Sequence, residues 1–169
     1  MMEATATLEL AAWPAPDRAV GEEAKELRRM FAAVSDKLDA TEAFGNRLRA
    51  LDAAFWDAAV NDWDGQGAPA ADRETYAVAR AFLRALPMTV PEPSISIDPD
   101  GEASFTWARR RGAMFSVSIG RDATLSFAGV YDSKSNYGTE SFIDEIPKTI
   151  RDNLARVFPE GTAQTARIA

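Results

Sequence analysis

The spacing of apolar residues changes twice along this chain, and each change marks a new kind of element. Thr5-Ala6-Thr7-Leu8-Glu9-Leu10-Ala11 alternates with period two, Leu8 and Leu10 on one side and Thr7 and Glu9 on the other. Trp13-Pro14-Ala15-Pro16 then interrupts any regular element, because proline lacks an amide donor and restricts the residue before it. Residues 1–17 are therefore expected to form an N-terminal arm or edge strand. From about Arg18 the spacing is three and four. Leu27, Met30, Phe31, Val34 and Leu38 line one face of an amphipathic helix whose other face is Glu22, Glu23, Lys25, Glu26, Arg28 and Arg29. Phe44, Leu48, Leu51 and Phe55 continue this spacing. Asp39-Ala40-Thr41 offers a stop and a new N-cap, so two helices are expected rather than one.

Asn61-Asp62-Trp63-Asp64-Gly65-Gln66-Gly67-Ala68 ends the helical half. Pro69 delays the next helix until Asp72, which suits an N-cap, and Tyr76, Ala79, Phe82, Leu83 and Leu86 mark that helix up to Pro87. The prolines of Pro87-Met88-Thr89-Val90-Pro91-Glu92-Pro93 predict an extended segment. Beyond it the period is two: Ile95 and Ile97, then Ala103, Phe105 and Trp107, then Phe115, Val117 and Ile119, then Leu125 and Phe127. Serines and threonines fill the alternate positions. Pro99-Asp100-Gly101, Arg109-Arg110-Arg111-Gly112 and Gly120-Arg121-Asp122-Ala123 supply the turns. Tyr131 to Gly138 reads as a polar loop, and Pro147 announces a closing helix carrying Ile150, Leu154, Val157 and Phe158. The whole predicts an α+β domain over residues 18–159: N-terminal helices, a mainly antiparallel four-stranded meander and a C-terminal helix. Residues 160–169 form a tail. The helices are expected to cover the apolar face of the sheet, leaving its serine-rich face to solvent.

Composition removes many chemistries. The 169 residues include neither cysteine nor histidine, which excludes disulfides, thiolate catalysis, Ser-His-Asp triads and the usual zinc sites. No catalytic residue and no cofactor is assigned. The net charge of −7 opposes direct nucleic-acid binding, which needs a basic face. No signal-peptide pattern opens the chain and no apolar run approaches a membrane span, so a cytoplasmic address, in a bacterium or the host of a phage, is expected.

The octapeptide Asn61–Ala68, with its following Leu-Pro helix end, Pro-Asp-Gly turn and Ile-Pro helix start, resembles a group of uncharacterised bacterial proteins marked by an N-W-D-G-x-G-A sequence. The resemblance covers roughly Asn61 to Phe158, with its specific part at Trp63, Asp64, Gly65, Gly67 and Ala68. Asp62 stands where the group more often has asparagine. The resemblance implies an order of elements and no activity.

Asp62, Asp64, Gln66 and Gly67 match the start of a calcium loop, but Arg73 occupies the position that needs a bidentate glutamate. Asp62 and Asp64 are alternatively a carboxylate pair for one Mg²⁺ in a metal hydrolase. The simpler reading makes Asp64 a local cap, with Gly65 and Gly67 at positive φ and Trp63 anchoring the turn. Ser133-Lys134-Ser135 has the residue types of a Ser-Lys hydrolase but no nucleophile turn around it. Arg109, Arg110 and Arg111 are expected at an exposed hairpin tip, suited to an anionic or acidic partner. Tyr131 and Tyr137 suit a contact surface or the edge of the sheet. With Lys134 these residues are the interaction candidates. The expected function is a non-enzymatic protein-interaction or regulatory role, inhibitory roles included, with a homo-oligomer also compatible. A metal hydrolase using Asp62 and Asp64 is the alternative, and an acidic nucleic-acid mimic of the phage-inhibitor kind is a third reading.

Overall fold

The computed structural model describes residues 22–109 and 112–159. The expected arm at 1–17, the residues Arg110 and Arg111, and the tail at 160–169 lie outside the described residues. The chain divides after Lys37 into two compact units. Helix α1, Glu22–Asp57, begins in the first and continues in the second. It runs unbroken through Asp39-Ala40-Thr41, which corrects the expected division into two helices. Alanine is the strongest helix former, and neither aspartate nor threonine removes a backbone donor. A cap-type residue with no glycine or proline beside it does not stop a helix. In the first unit Leu27, Met30, Phe31 and Val34 are exposed.

The second unit holds the core. After α1 come α2 (Arg73–Ala85), β1 (Ser94–Ile97), β2 (Ala103–Arg109), β3 (Ala113–Ile119), β4 (Thr124–Tyr131), β5 (Lys134–Ser141) and α3 (Lys148–Val157). The five strands form one antiparallel meander in the order β1-β2-β3-β4-β5. The α+β reading therefore holds, with five strands in place of four. The fifth is β5, where a loop was expected. Its inward positions are Asn136 and Gly138 beside Gly129 and Phe127 of β4, with Glu140 beside Leu125, so it carries no apolar alternation to betray it. An edge strand of this kind is held by backbone pairing and by what its neighbour lays over it.

One face of the sheet is apolar. Ile97, Ala103, Phe105, Trp107, Phe115, Val117, Ile119, Leu125 and Phe127 are buried there, and α2 and α3 lie across the central strands. Phe82 of α2 meets Phe105 with ring centroids 5.1 Å apart and Phe142 at 5.7 Å. Asp72 caps α2, its carboxylate accepting from the Glu74 amide at 2.8 Å. Pro147 occupies the cap position of α3. The Pro87–Pro93 segment is not extended throughout: the Val90 amide donates to the Pro87 carbonyl at 3.1 Å, closing a turn.

That turn is held by a buried arginine. Arg47, on α1 and 2% exposed, donates from its terminal nitrogens to the carbonyls of Leu86 (3.4 Å), Pro87 (3.3 Å) and Val90. Burial pushes its pKa down, with the carboxylate of Glu92 acting against the shift. Asn153 plays the matching part on α3. Its carbonyl oxygen accepts from Tyr131 Oη (2.9 Å) and Asn136 Nδ2 (3.0 Å), and its own amide donates to the Thr149 carbonyl at 2.7 Å. Every polar atom of this buried side chain is thereby used, and α3 is fixed to β4 and β5.

Candidate functional site: the open face of the sheet

The most unusual octapeptide of the sequence forms a closed loop. Asp62 adopts φ 62°, Gly65 φ 70° and Gly67 φ 93°, a left-handed series that aspartate and glycine accept at lowest cost. The Asp62 amide donates to the Ala68 carbonyl at 2.7 Å, and the Ala71 amide to the Ala58 carbonyl at 2.8 Å. One oxygen of Asp64 accepts from the amides of Gln66 (2.9 Å) and Ala68 (3.0 Å), and one of Asp62 accepts from Gly67 (2.7 Å). Asn61 accepts from Ala70 at 2.9 Å. The amides of Gln66 and Ala68 hold the Asp64 carboxyl below the usual carboxylate range. Trp63 is partly buried against the core, and its Nε1 donates to the Pro69 carbonyl at 3.0 Å. Both carboxylates thus close the loop on itself. Among the described residues no group of three or more Asp, Glu, His or Cys is placed to hold a metal ion.

The side of the sheet away from the helices is different in kind. Alternation places Ser96, Ser104, Ser118, Ser126 and Thr139 in one row across all five strands. Ser94, Thr106, Ser116, Ala128 and Tyr137 form the next row, and Ala108, Met114, Val130 and Ser135 the third. None of these residues is charged, in a chain of which 27% is Asp, Glu, Lys or Arg. The hydroxyls bond to one another, Ser104 to Ser118 at 2.7 Å and Thr106 to Ser116 at 3.0 Å. At one end Met114, Val130 and Tyr137 stand 47, 43 and 81% exposed on three neighbouring strands.

The topology brings most of the sequence's interaction candidates to that same end. The β2–β3 and β4–β5 hairpins both turn there. Arg109 closes β2 opposite Ala113, and Lys134 opens β5 opposite Tyr131. Arg109 and Lys134 are exposed, and Arg110 and Arg111 lie outside the described residues. The two tyrosines point to opposite sides. Tyr137 is on the open face, whereas Tyr131 faces the helices, bonded to Asn153 with the Arg156 guanidinium 5.7 Å from its ring centre. Burial pushes the Tyr131 hydroxyl up to about 12, Arg156 opposing. Ser133 and Lys134 are adjacent at a tight turn in which Asp132 takes φ 55°. The opposite end of the sheet is acidic. Burial raises the Glu102 pKa, and the nearby charges of Asp100, Asp98 and Asp122 raise it further.

Sequence reading missed Met114 and Val130. The signal was present: each lies one position from the buried run Phe115-Val117-Ile119 or Leu125-Phe127-Gly129, so parity alone turns it outward. Arg47 and Asn153 had no such signal, since nothing in a helical pattern distinguishes a buried arginine or asparagine from a solvated one. Among the described residues no helix is long and apolar enough to cross a membrane. Comparison with known proteins gives no match to a family model, a curated protein or a solved structure.

Proposed function

We propose that this is a non-catalytic interaction protein of a regulatory kind, and that it binds a protein partner through the open face of its sheet. One observation supports this most directly: three rows of that face carry no charge, and their end carries Met114, Val130 and Tyr137 uncovered. Depletion of charge with aromatic and methionine enrichment distinguishes the centre of protein interfaces from ordinary surface. Arg109 and Lys134 close the adjoining hairpins with the helix-side parity of Trp107 and Tyr131, so the fitting partner is apolar where it meets Met114, Val130 and Tyr137. Ser104 pairs with Ser118 and Thr106 with Ser116, and Asp98 accepts from Ser104 and Ser118 at the far end of these rows, which lowers the desolvation cost of these four hydroxyls when the face is covered.

The test is affinity capture from a host lysate with the wild type and with Tyr137→Ala/Met114→Glu in parallel, followed by hydrogen exchange of the recovered complex. Both substituted side chains are exposed, so the melting temperature should stay near that of the wild type. The double variant is expected to lose the captured partner, and the partner should protect amides of β3 to β5. A partner retained by the double variant, or protection confined to other elements, would remove the sheet face from the reading.

A further inference from the structure

The two edges of the sheet are finished differently. β1 is four residues long, with Pro91 and Pro93 before it and Pro99 after it, and short strands and prolines are usual means of keeping an edge from pairing with another chain. β5 has neither protection. It runs for eight residues, is paired with β4 at every one from Lys134 to Ser141 and so has no bulge, and carries no charge and no proline from Ser135 to Thr139. Among the described residues no strand pairs with its other side.

One bond shows which backbone groups face that side. The Phe142 amide donates to the Ala123 carbonyl at 2.9 Å, and these two residues continue the register in which Ser141 opposes Thr124. Antiparallel bonding alternates with period two. Lys134, Asn136, Gly138 and Glu140 therefore bond to β4, whereas Ser135, Tyr137, Thr139 and Ser141 present their amides and carbonyls to the free edge.

A second copy of β5 fits that row when it is laid antiparallel about Tyr137. Tyr137 then exchanges bonds with Tyr137 of the second copy, Ser135 exchanges them with Thr139, and Lys134 opposes Glu140 at both ends. Moving the centre one residue toward Lys134 sets Glu140 against Asp132, and moving it one residue toward Ser141 sets Glu140 against Asn136 and Lys134 against Phe142. Only the alignment about Tyr137 pairs the two charges of the strand. Among the described residues neither Lys134 nor Glu140 has a hydrogen-bonding or ionic partner within the chain, and α3 lies across β2, β3 and β4, inboard of the edge. We propose that two copies of the chain pair through β5 and join their sheets into one continuous antiparallel sheet. The two-fold axis of such a pair stands perpendicular to the sheet, so both open faces lie on one side with the two Tyr137 residues adjacent at its centre. This pairing uses the backbone edge and does not depend on what the open face binds.

Sedimentation equilibrium combined with amide exchange tests this. The wild type should move from the mass of one chain toward that of two between micromolar and high-micromolar concentration. The amides of Ser135, Tyr137 and Thr139 should slow as it does so, while those of Asn136 and Gly138 are slow throughout. Thr139→Pro removes one edge-facing donor and leaves the bonds to β4 in place; it should stay at the mass of one chain with the near-ultraviolet circular dichroism of Trp107 unchanged. Lys134→Glu sets like charges against each other at both ends of the pair and should weaken association about tenfold. Adding Glu140→Lys should restore it, and if Thr139→Pro loses the Trp107 signal, this charge reversal and rescue decide alone. A single-chain mass for the wild type across the range overturns the proposal; slow Tyr137 and Thr139 amides would then mean that another part of the same chain covers the edge. Association that Thr139→Pro and Lys134→Glu leave unchanged overturns it equally and puts the contact elsewhere.

Discussion

Arg47 shows how much one residue decides. Its buried side chain donates from its terminal nitrogens to carbonyls of the segment that joins α2 to β1, while its Nε is buried without a partner. Removing it leaves those carbonyls without partners and opens a cavity. Arg47→Ala is expected to cost about 2–4 kcal/mol in urea unfolding. Arg47→Met, which fills the volume but donates nothing, should recover part of that loss; equal stability of the wild type and both variants would show that the clamp is dispensable. Tyr131 gives a second prediction at this scale. Its folded pKa of about 12 lies above the ordinary value of ~10. The native state therefore prefers the protonated phenol, and the stability this contributes is complete below the ordinary value and lost as pH rises through the folded one. Unfolding followed between those two values should steepen with pH, and Tyr131→Phe should flatten the curve. An unchanged slope in that variant would assign the alkaline loss to other groups.

Elements succeed or fail here through their local partners. The β5 strand has little apolar content, and Gly138 is central to it: a methyl group there would lie 2.9 Å from Cζ of Phe127, which packs across the position from the neighbouring strand. Gly138→Ala is expected to displace that ring and cost ~1–3 kcal/mol, as overpacking does. A melting curve like that of the wild type would mean that the edge yields freely. The Asn61–Ala68 loop makes the opposite point, since it is closed by bonds within itself, from its own backbone and from its own aspartates. Divalent Mg²⁺, Mn²⁺ or Ca²⁺ should leave its stability unchanged, because Asp62 and Asp64 already serve the loop amides. A thermal upshift abolished by Asp62→Asn/Asp64→Asn would establish a metal site instead. The depressed pKa of Asp64 makes its contribution present above the usual carboxylate range and lost as pH falls through the lower, folded value. Exchange protection of the Gln66 and Ala68 amides should decline in that acid window.

At the scale of the whole molecule, the buried core found among the described residues begins at Leu51, with Phe44 and Leu48 packed against it. A chain beginning at Leu38 should therefore retain one cooperative melt and the near-ultraviolet signal of Trp107. Loss of cooperativity on that truncation would make the first unit part of the fold's stability. The charge of the molecule is also distributed unevenly. Acidic side chains gather at the β1–β2 and β3–β4 turns, basic ones at the opposite hairpins, and none lies in the rows of the open face between them.

What could be read directly was whatever repeats with the period of an element. The apolar positions from Ile95 to Phe127 announced β1 to β4 and their buried face. Asp72, Pro87 and Pro147 marked helix ends, because caps and prolines act within a turn of themselves. The left-handed glycines and the capping role of Asp64 were legible for the same local reason. Tertiary contact decided the rest. β5 became a strand because β4 pairs with it and Phe127 packs on Gly138. Tyr131 and Tyr137 were alike as residues and were parted by strand parity, one to Asn153 and the other to solvent. The candidate surface is the outward half of a pattern whose inward half the hydrophobic effect selects. Sequence periodicity tells the two halves apart, but only the register of five strands assembles the outward residues into three uncharged rows on one face.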